Sequence, residues 1–121
     1  MSKGPAKLLK PLQNRIVGSG MERVDQLLAH PDNFRVHNDP QQQALAGAID
    51  DIGYIRSVTV NKRTGHVIDG HLRVQLALRS GVEELPVEYV DLDEAEEAQA
   101  LLSLDPIAAM AASDKAKLDN L

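Results

Sequence analysis

The run His66-Val67-Ile68-Asp69-Gly70-His71-Leu72-Arg73-Val74-Gln75-Leu76-Ala77 constrains the fold most. A short apolar strand passes through a single glycine straight into a helix. Gly70 gives the backbone a conformation, and a closeness to a ligand, that a Cβ would hinder. The first turn of the helix leaves several N–H groups without intrahelical acceptors, and with the positive end of the helix dipole they form an anion site. His71 and Arg73 place an imidazole and a guanidinium within reach of the same anion. Asp69 is a candidate to cap the helix or to approach a metal ion carried by phosphates. The same pattern fits a plain strand-to-helix turn in which Asp69 only caps and Arg73 is a solvated helix residue. Both readings stay open on local chemistry.

The rest of the 121 residues is organised around this junction. Residues 1–14, with Gly4, Pro5, Pro11 and several lysines, read as a flexible leader. Residues 15–105 read as one domain and 106–121 as a C-terminal helical tail. Arg15 to Val24 suggests a strand broken at Gly18-Ser19-Gly20, and Val24 to Leu28 a short strand or single helical turn. His30 to Pro40 is a polar, proline-bounded loop. Asp39 and Pro40 then open a helix in which Leu45, Ala48, Ile49 and Ile52 recur on one face, and Gly53 stops it. Ile55 to Asn61 and His66 to Ile68 form a hairpin across Arg63-Thr64-Gly65. Residues 71–80 are helical, with Val74, Leu76, Ala77 and Leu78 facing inward. Leu85 to Val90 is a third strand, and Pro86 places its start at a sheet edge. Asp93 to Leu104 is helical, with Ala95, Ala98, Leu101 and Leu102 as an apolar stripe that suits a core or a partner.

Composition narrows the chemistry. One Phe, two Tyr and no Trp leave little aromatic surface for stacking bases. The absence of Cys removes disulfides and thiolate chemistry, and no secretory signal or membrane-length apolar run is visible, so a cytoplasmic setting without a membrane partner is expected. A net charge of −5 argues against a dedicated duplex-DNA binder. The acidic run Asp91, Asp93, Glu94, Glu96, Glu97 and Asp105 reads first as a solvated helix face. His30, His37, His66 and His71 form no compact helical pair, so the spacing assigns no metal ligand. Ser57, Ser80 and Ser103 have no evident base partner. Arg35, in the polar loop, would bring a second guanidinium to the anion site if that loop packs over the helix after Gly70. A local pairing with Asp32 or Asp39 explains it equally well.

The order of these motifs resembles the ParB N-terminal-like domain of the ParB and sulfiredoxin superfamily, over about residues 22–112. The resemblance is carried by the Pro31 to Arg35 loop, the helix 41–52 ending in Gly53-Tyr54-Ile55, the strand Val58-Thr59-Val60, and the turn Val67 to Arg73. The close, Gly81 to Val87, is also similar, and Asp93 to Ala112 looks like the helical tail of phage and DNA-methyltransferase-associated members. The resemblance implies an α/β (α+β) fold, a small mixed sheet packed with helices. It also implies a nucleoside triphosphate, CTP or ATP, bound with Mg2+ by Gly70, His71 and Arg73, with Arg35 closing over it. A role in DNA metabolism would follow, with slow NTP hydrolysis left open and DNA engaged indirectly. Partition proteins of the family carry a glutamate after the motif glycine and a further arginine, where this chain has His71 and Leu72. No helix-turn-helix follows, so operator reading is not expected. The reactive cysteine of sulfiredoxin is absent, which excludes that reductase activity.

Two alternatives accompany this reading. Free serine kinases of the superfamily carry an Asp-Gly-His-His-Arg turn similar to Asp69-Gly70-His71-Leu72-Arg73, which implies a small phosphotransferase, or a nuclease, with Asp69 catalytic. The other alternative is a protein-interaction module with a vestigial pocket, a homo-oligomer formed through its C-terminal helices.

Overall fold

The computed structural model describes residues 4–31 and 39–104. The elements are β1 (Ile16–Arg23), a 3-10 turn (Val24–Gln26), β2 (Leu28–Ala29), α1 (Asp39–Ile52), β3 (Val58–Asn61), β4 (His66–Asp69), α2 (His71–Arg79), β5 (Glu84–Val90) and α3 (Glu94–Leu104). Arg35 and His37 in the polar loop, and the tail 106–121, lie outside the described residues, as does the side chain of Asp39. No described helix is long and apolar enough to cross a membrane.

The five strands form one mixed sheet in the order β1-β5-β3-β4-β2. β3 and β4 are the antiparallel hairpin expected from their turn residues, closed where Gly65 N donates to Asn61 O at 2.7 Å. β5 runs parallel to β3 on one side and antiparallel to β1 on the other, while β2 runs parallel to β4. The two faces follow from the two-residue period of a strand. Val58, Val60 and Val67 point to the face covered by α2, where they form the core with Val24, Val74, Ala77, Leu85 and Val87. Asn61, His66 and Ile68 alternate to the opposite face, the one that α3 covers. The fold is therefore an α/β sandwich of helices about a mixed sheet.

Several local expectations are corrected. β1 is continuous through Gly18 and Gly20, with a bulge between Ile16 and Gly18. The ring of Tyr89 on β5 lies over both glycines, 3.9 Å and 3.7 Å from where their Cβ atoms would stand. These residues clear space for a cross-strand aromatic rather than turning the chain. β5 is an interior strand whose start alone is an edge, where Pro86 stands. Its ladder with β3 begins at Val87, so Pro86, which lacks an N–H, has a partner strand only on the β1 side. Ile52 and Leu78, both expected inside, are 66% and 52% exposed. On α3 the inward residues are Leu101 and Glu97, while Ala95, Ala98 and Leu102 face solvent.

α3 starts with a reciprocal cap. Glu96 N donates to Asp93 Oδ1 at 2.8 Å and Asp93 N donates to Glu96 Oε1 at 3.0 Å. Arg15, just before β1, grips the same Glu96 carboxylate with two bonds of 2.6 and 2.8 Å and donates to Asp91 O. The Arg15 bonds, and then the backbone N–H of Asp93, hold the Glu96 carboxyl at about 2, against an ordinary 4.5. A depressed folded-state pKa stabilises above the ordinary value, and that contribution is lost as pH falls from about 4.5 toward about 2. Glu96→Gln is therefore expected to melt below the wild type at neutral pH and together with it near pH 2. A gap that stays constant across that acid range in thermal melts would show that the pair is not the cause.

Candidate functional site

The β4–α2 turn is built around Gly70. Its φ of 108° and ψ of 20° lie in the left-handed region, and it serves as the N-cap residue of α2 with no side-chain cap. The first helical bond is donated by Val74 N to Gly70 O, at 3.0 Å. The N–H groups of His71, Leu72 and Arg73 precede it, as the first turn of any helix requires. A Cβ on Gly70 would stand 2.8 Å from Arg73 Nη2, 3.3 Å from Arg73 Cζ and 3.3 Å from Val58 Cγ2. The guanidinium of Arg73 is thus folded back over the glycine, and its Nη2 donates to Ser57 O at 3.3 Å. His71 is 3% exposed.

The structure brings Gly70, His71 and Arg73 together at one turn, as the sequence suggests. It corrects the role of Asp69, which does not cap α2. The Asp69 carboxylate is buried and accepts from Arg56 Nη2 at 2.7 Å. By strand alternation Asp69 sits on the α2 side of the sheet, so Arg56 brings a further cation to that side, a residue that sequence reasoning passed over.

A second cluster lies at the other end of β4, on the α3 face. Glu97, read from sequence as part of a solvated acidic face, is 3% exposed. Its Oε1 accepts from Asn61 Nδ2 at 2.9 Å and from Thr64 Oγ1 at 2.5 Å. Its Oε2 lies 3.1 Å from His66 Nδ1 and 3.3 Å from His30 Nε2. The two imidazoles meet edge to face, with centroids 5.2 Å apart. Burial opposes ionisation of Glu97, yet the hydrogen bonds from Thr64, Asn61 and His66 outweigh it and hold the carboxyl below the usual range. Asn61, fully buried, also donates to Leu92 O and accepts from Leu92 N and Arg63 N, which ties the end of β3 to the approach of α3. His66 is accordingly a half-buried partner of Glu97. The available signal was positional: Glu97 precedes the buried Leu101 by one helical turn and so shares its face.

No protein-family model matches the chain, and no curated protein matches it in sequence. Its structure is similar to solved ParB domains. A C-terminally truncated chromosome-partitioning protein ParB from Caulobacter crescentus, complexed with CTP-γ-S, matches over 71% of this chain and 51% of that one, at 21% identity and a TM-score of 0.60. A pNOB8-like ParB N-domain matches over 78% of this chain and 37% of that one, at 14% identity and a TM-score of 0.60. Another structure of such a domain gives 15% identity and a TM-score of 0.57, over 69% of this chain and 33% of that one. The chain thus spans between a third and about half of the proteins it matches. At these identities the likeness concerns architecture: the fold of this chain is similar to that of ParB N-terminal domains.

Proposed function

We propose that this chain is a nucleotide-binding domain of the ParB type, taking CTP or ATP with Mg2+ at the β4–α2 turn and serving a DNA-associated process as a ligand-gated module. The observation that carries the reading is the cradle at Gly70. Its backbone is in the left-handed region at the head of α2, and the place of its missing Cβ is taken by the Arg73 guanidinium. A phosphate chain suits this arrangement. The glycine leaves room for the Arg73 guanidinium against the backbone, the first-turn N–H groups and helix dipole favour negative charge, and Arg73 adds a planar fork of donors. His71 is held at the same turn, and Arg56 fixes the Asp69 carboxylate beside it. Mg2+ bound with the nucleotide would neutralise phosphate charge that the chain's own cations leave uncovered. The fold shared with a ParB crystallised with CTP-γ-S supports the reading.

Arg73→Ala is expected to weaken nucleotide binding by about 1.5–3 kcal/mol, the range for a lost charge-assisted hydrogen bond. Its melting curve serves as the control for folding. An Arg73→Ala protein that binds nucleotide as tightly as the wild type would remove the turn as the site. The phosphotransferase or nuclease alternative requires Asp69 as a catalytic group, and its engagement by Arg56 favours a positioning role instead.

A further inference from the structure

The cluster at the start of β4 has the composition and dimensions of a divalent metal site. We infer that His30, His66 and Glu97 bind one borderline transition-metal ion, with Zn2+ as the best-matched species, through His30 Nε2, His66 Nδ1 and Glu97 Oε2. The three donor atoms lie within 4.8 Å of one another. Bonds of about 2.0–2.2 Å to nitrogen and oxygen arranged as a tetrahedron place neighbouring ligand atoms about 3.3–3.5 Å apart. The carboxylate oxygen is 3.1 Å from one imidazole nitrogen and 3.3 Å from the other, so two edges of that tetrahedron are nearly in place before any ion enters.

The carboxylate divides its two oxygens between two tasks. Oε1 is held by Asn61 and Thr64, and Oε2 faces both imidazoles. Hydrogen bonds of this kind to a ligating carboxylate orient it and reduce the cost of ordering the site on binding. Thr64 is itself fixed, because its hydroxyl accepts from His66 N at 3.1 Å. The parallel pairing of β2 with β4, with Leu28 in register with His66 and Ala29 with Val67, leads the chain directly into His30, whose ring meets that of His66 edge to face. α3 then brings Glu97 across the same face. A cleft of about 500 Å3 opens beside the three residues, with Asp93 and Glu94 on its wall. It leaves room for water or a further ligand in the remaining coordination positions, and its wall carries the carboxylates of Asp93 and Glu94 together with Arg63. Two imidazoles and one carboxylate select Zn2+, Ni2+, Cu2+ or Fe2+ over Mg2+ and Ca2+, which take all-oxygen shells.

This site is distinct from the glycine turn, since His66 begins β4 and Asp69 ends it. Its occupation ties the end of β2, where the polar loop begins, to β4 and α3.

The test is calorimetric titration of the chelator-treated full chain with ZnCl2, in the absence of nucleotide and with MgCl2 as the contrasting ion. One Zn2+ per chain is expected, with a raised melting temperature and at least tenfold weaker affinity in both His30→Ala and His66→Ala. Should either variant fail to fold, the visible spectrum of the Co2+-loaded wild type decides. Intense bands of a low-coordinate N/O site support the assignment, and the weak spectrum of the aqua ion overturns it. Absence of Zn2+ binding by the wild type, or Zn2+ binding unaltered in both folded variants, would also overturn it.

Discussion

Glu97→Ala is expected to destabilise the fold by about 3–5 kcal/mol, the combined cost of taking a buried carboxylate acceptor from the donors around it. The side chain accepts from Asn61 and Thr64 and stands between two imidazoles while itself almost wholly enclosed. Its removal strips an acceptor from the buried Asn61 amide and leaves a void beneath α3. Leaving buried donors unsatisfied accounts for much of the loss, about 1–3 kcal/mol for each such group. Glu97→Gln retains the shape and one accepting oxygen, so its expected loss is smaller. Equilibrium denaturation by urea measures both. An alanine variant within about 0.5 kcal/mol of the wild type, the usual scatter of surface substitutions, would show that Glu97 is not a structural keystone.

Gly70→Ala is expected to have the second large effect, on stability and ligand binding together. An L side chain at φ 108° carries backbone strain of about 1–3 kcal/mol. The new methyl also meets Arg73 Nη2 at 2.8 Å and Val58 Cγ2 at 3.3 Å. The arginine head can swing away, whereas Val58 belongs to the packed core. The variant therefore displaces the cation that the proposed phosphate site depends on. Melting curves and nucleotide titration of the same preparation separate the two effects. Wild-type stability and wild-type affinity in Gly70→Ala would contradict the cradle geometry.

The β4–Gly70–α2 unit was legible because its signals are local: an apolar pair, a glycine and a helical period follow one another within a dozen residues. The β3–β4 hairpin was legible for the same reason. What escaped depends on neighbours distant in sequence. Pro86 marks an edge by its missing N–H, and only the staggered start of β3 explains how it sits inside a sheet. Gly18 and Gly20 read as breakers until Tyr89 is found lying over them. The spacing puts Arg73 within reach of an anion at the turn, but nothing in it shows that the guanidinium folds back toward Ser57. His30, His66 and Glu97 come from three separate segments. Their meeting depends on the parallel register of a two-residue strand and on which face α3 covers, neither of which has a sequence signature.

Calorimetric titration of the wild-type chain with CTP, ATP and GTP in Mg2+ decides whether a nucleoside triphosphate is held at the turn between β4 and α2. One nucleotide per chain is expected to bind, with CTP or ATP preferred over GTP. Silence with all three nucleotides from a folded chain would contradict it and turn attention to a protein-interaction role for the same fold.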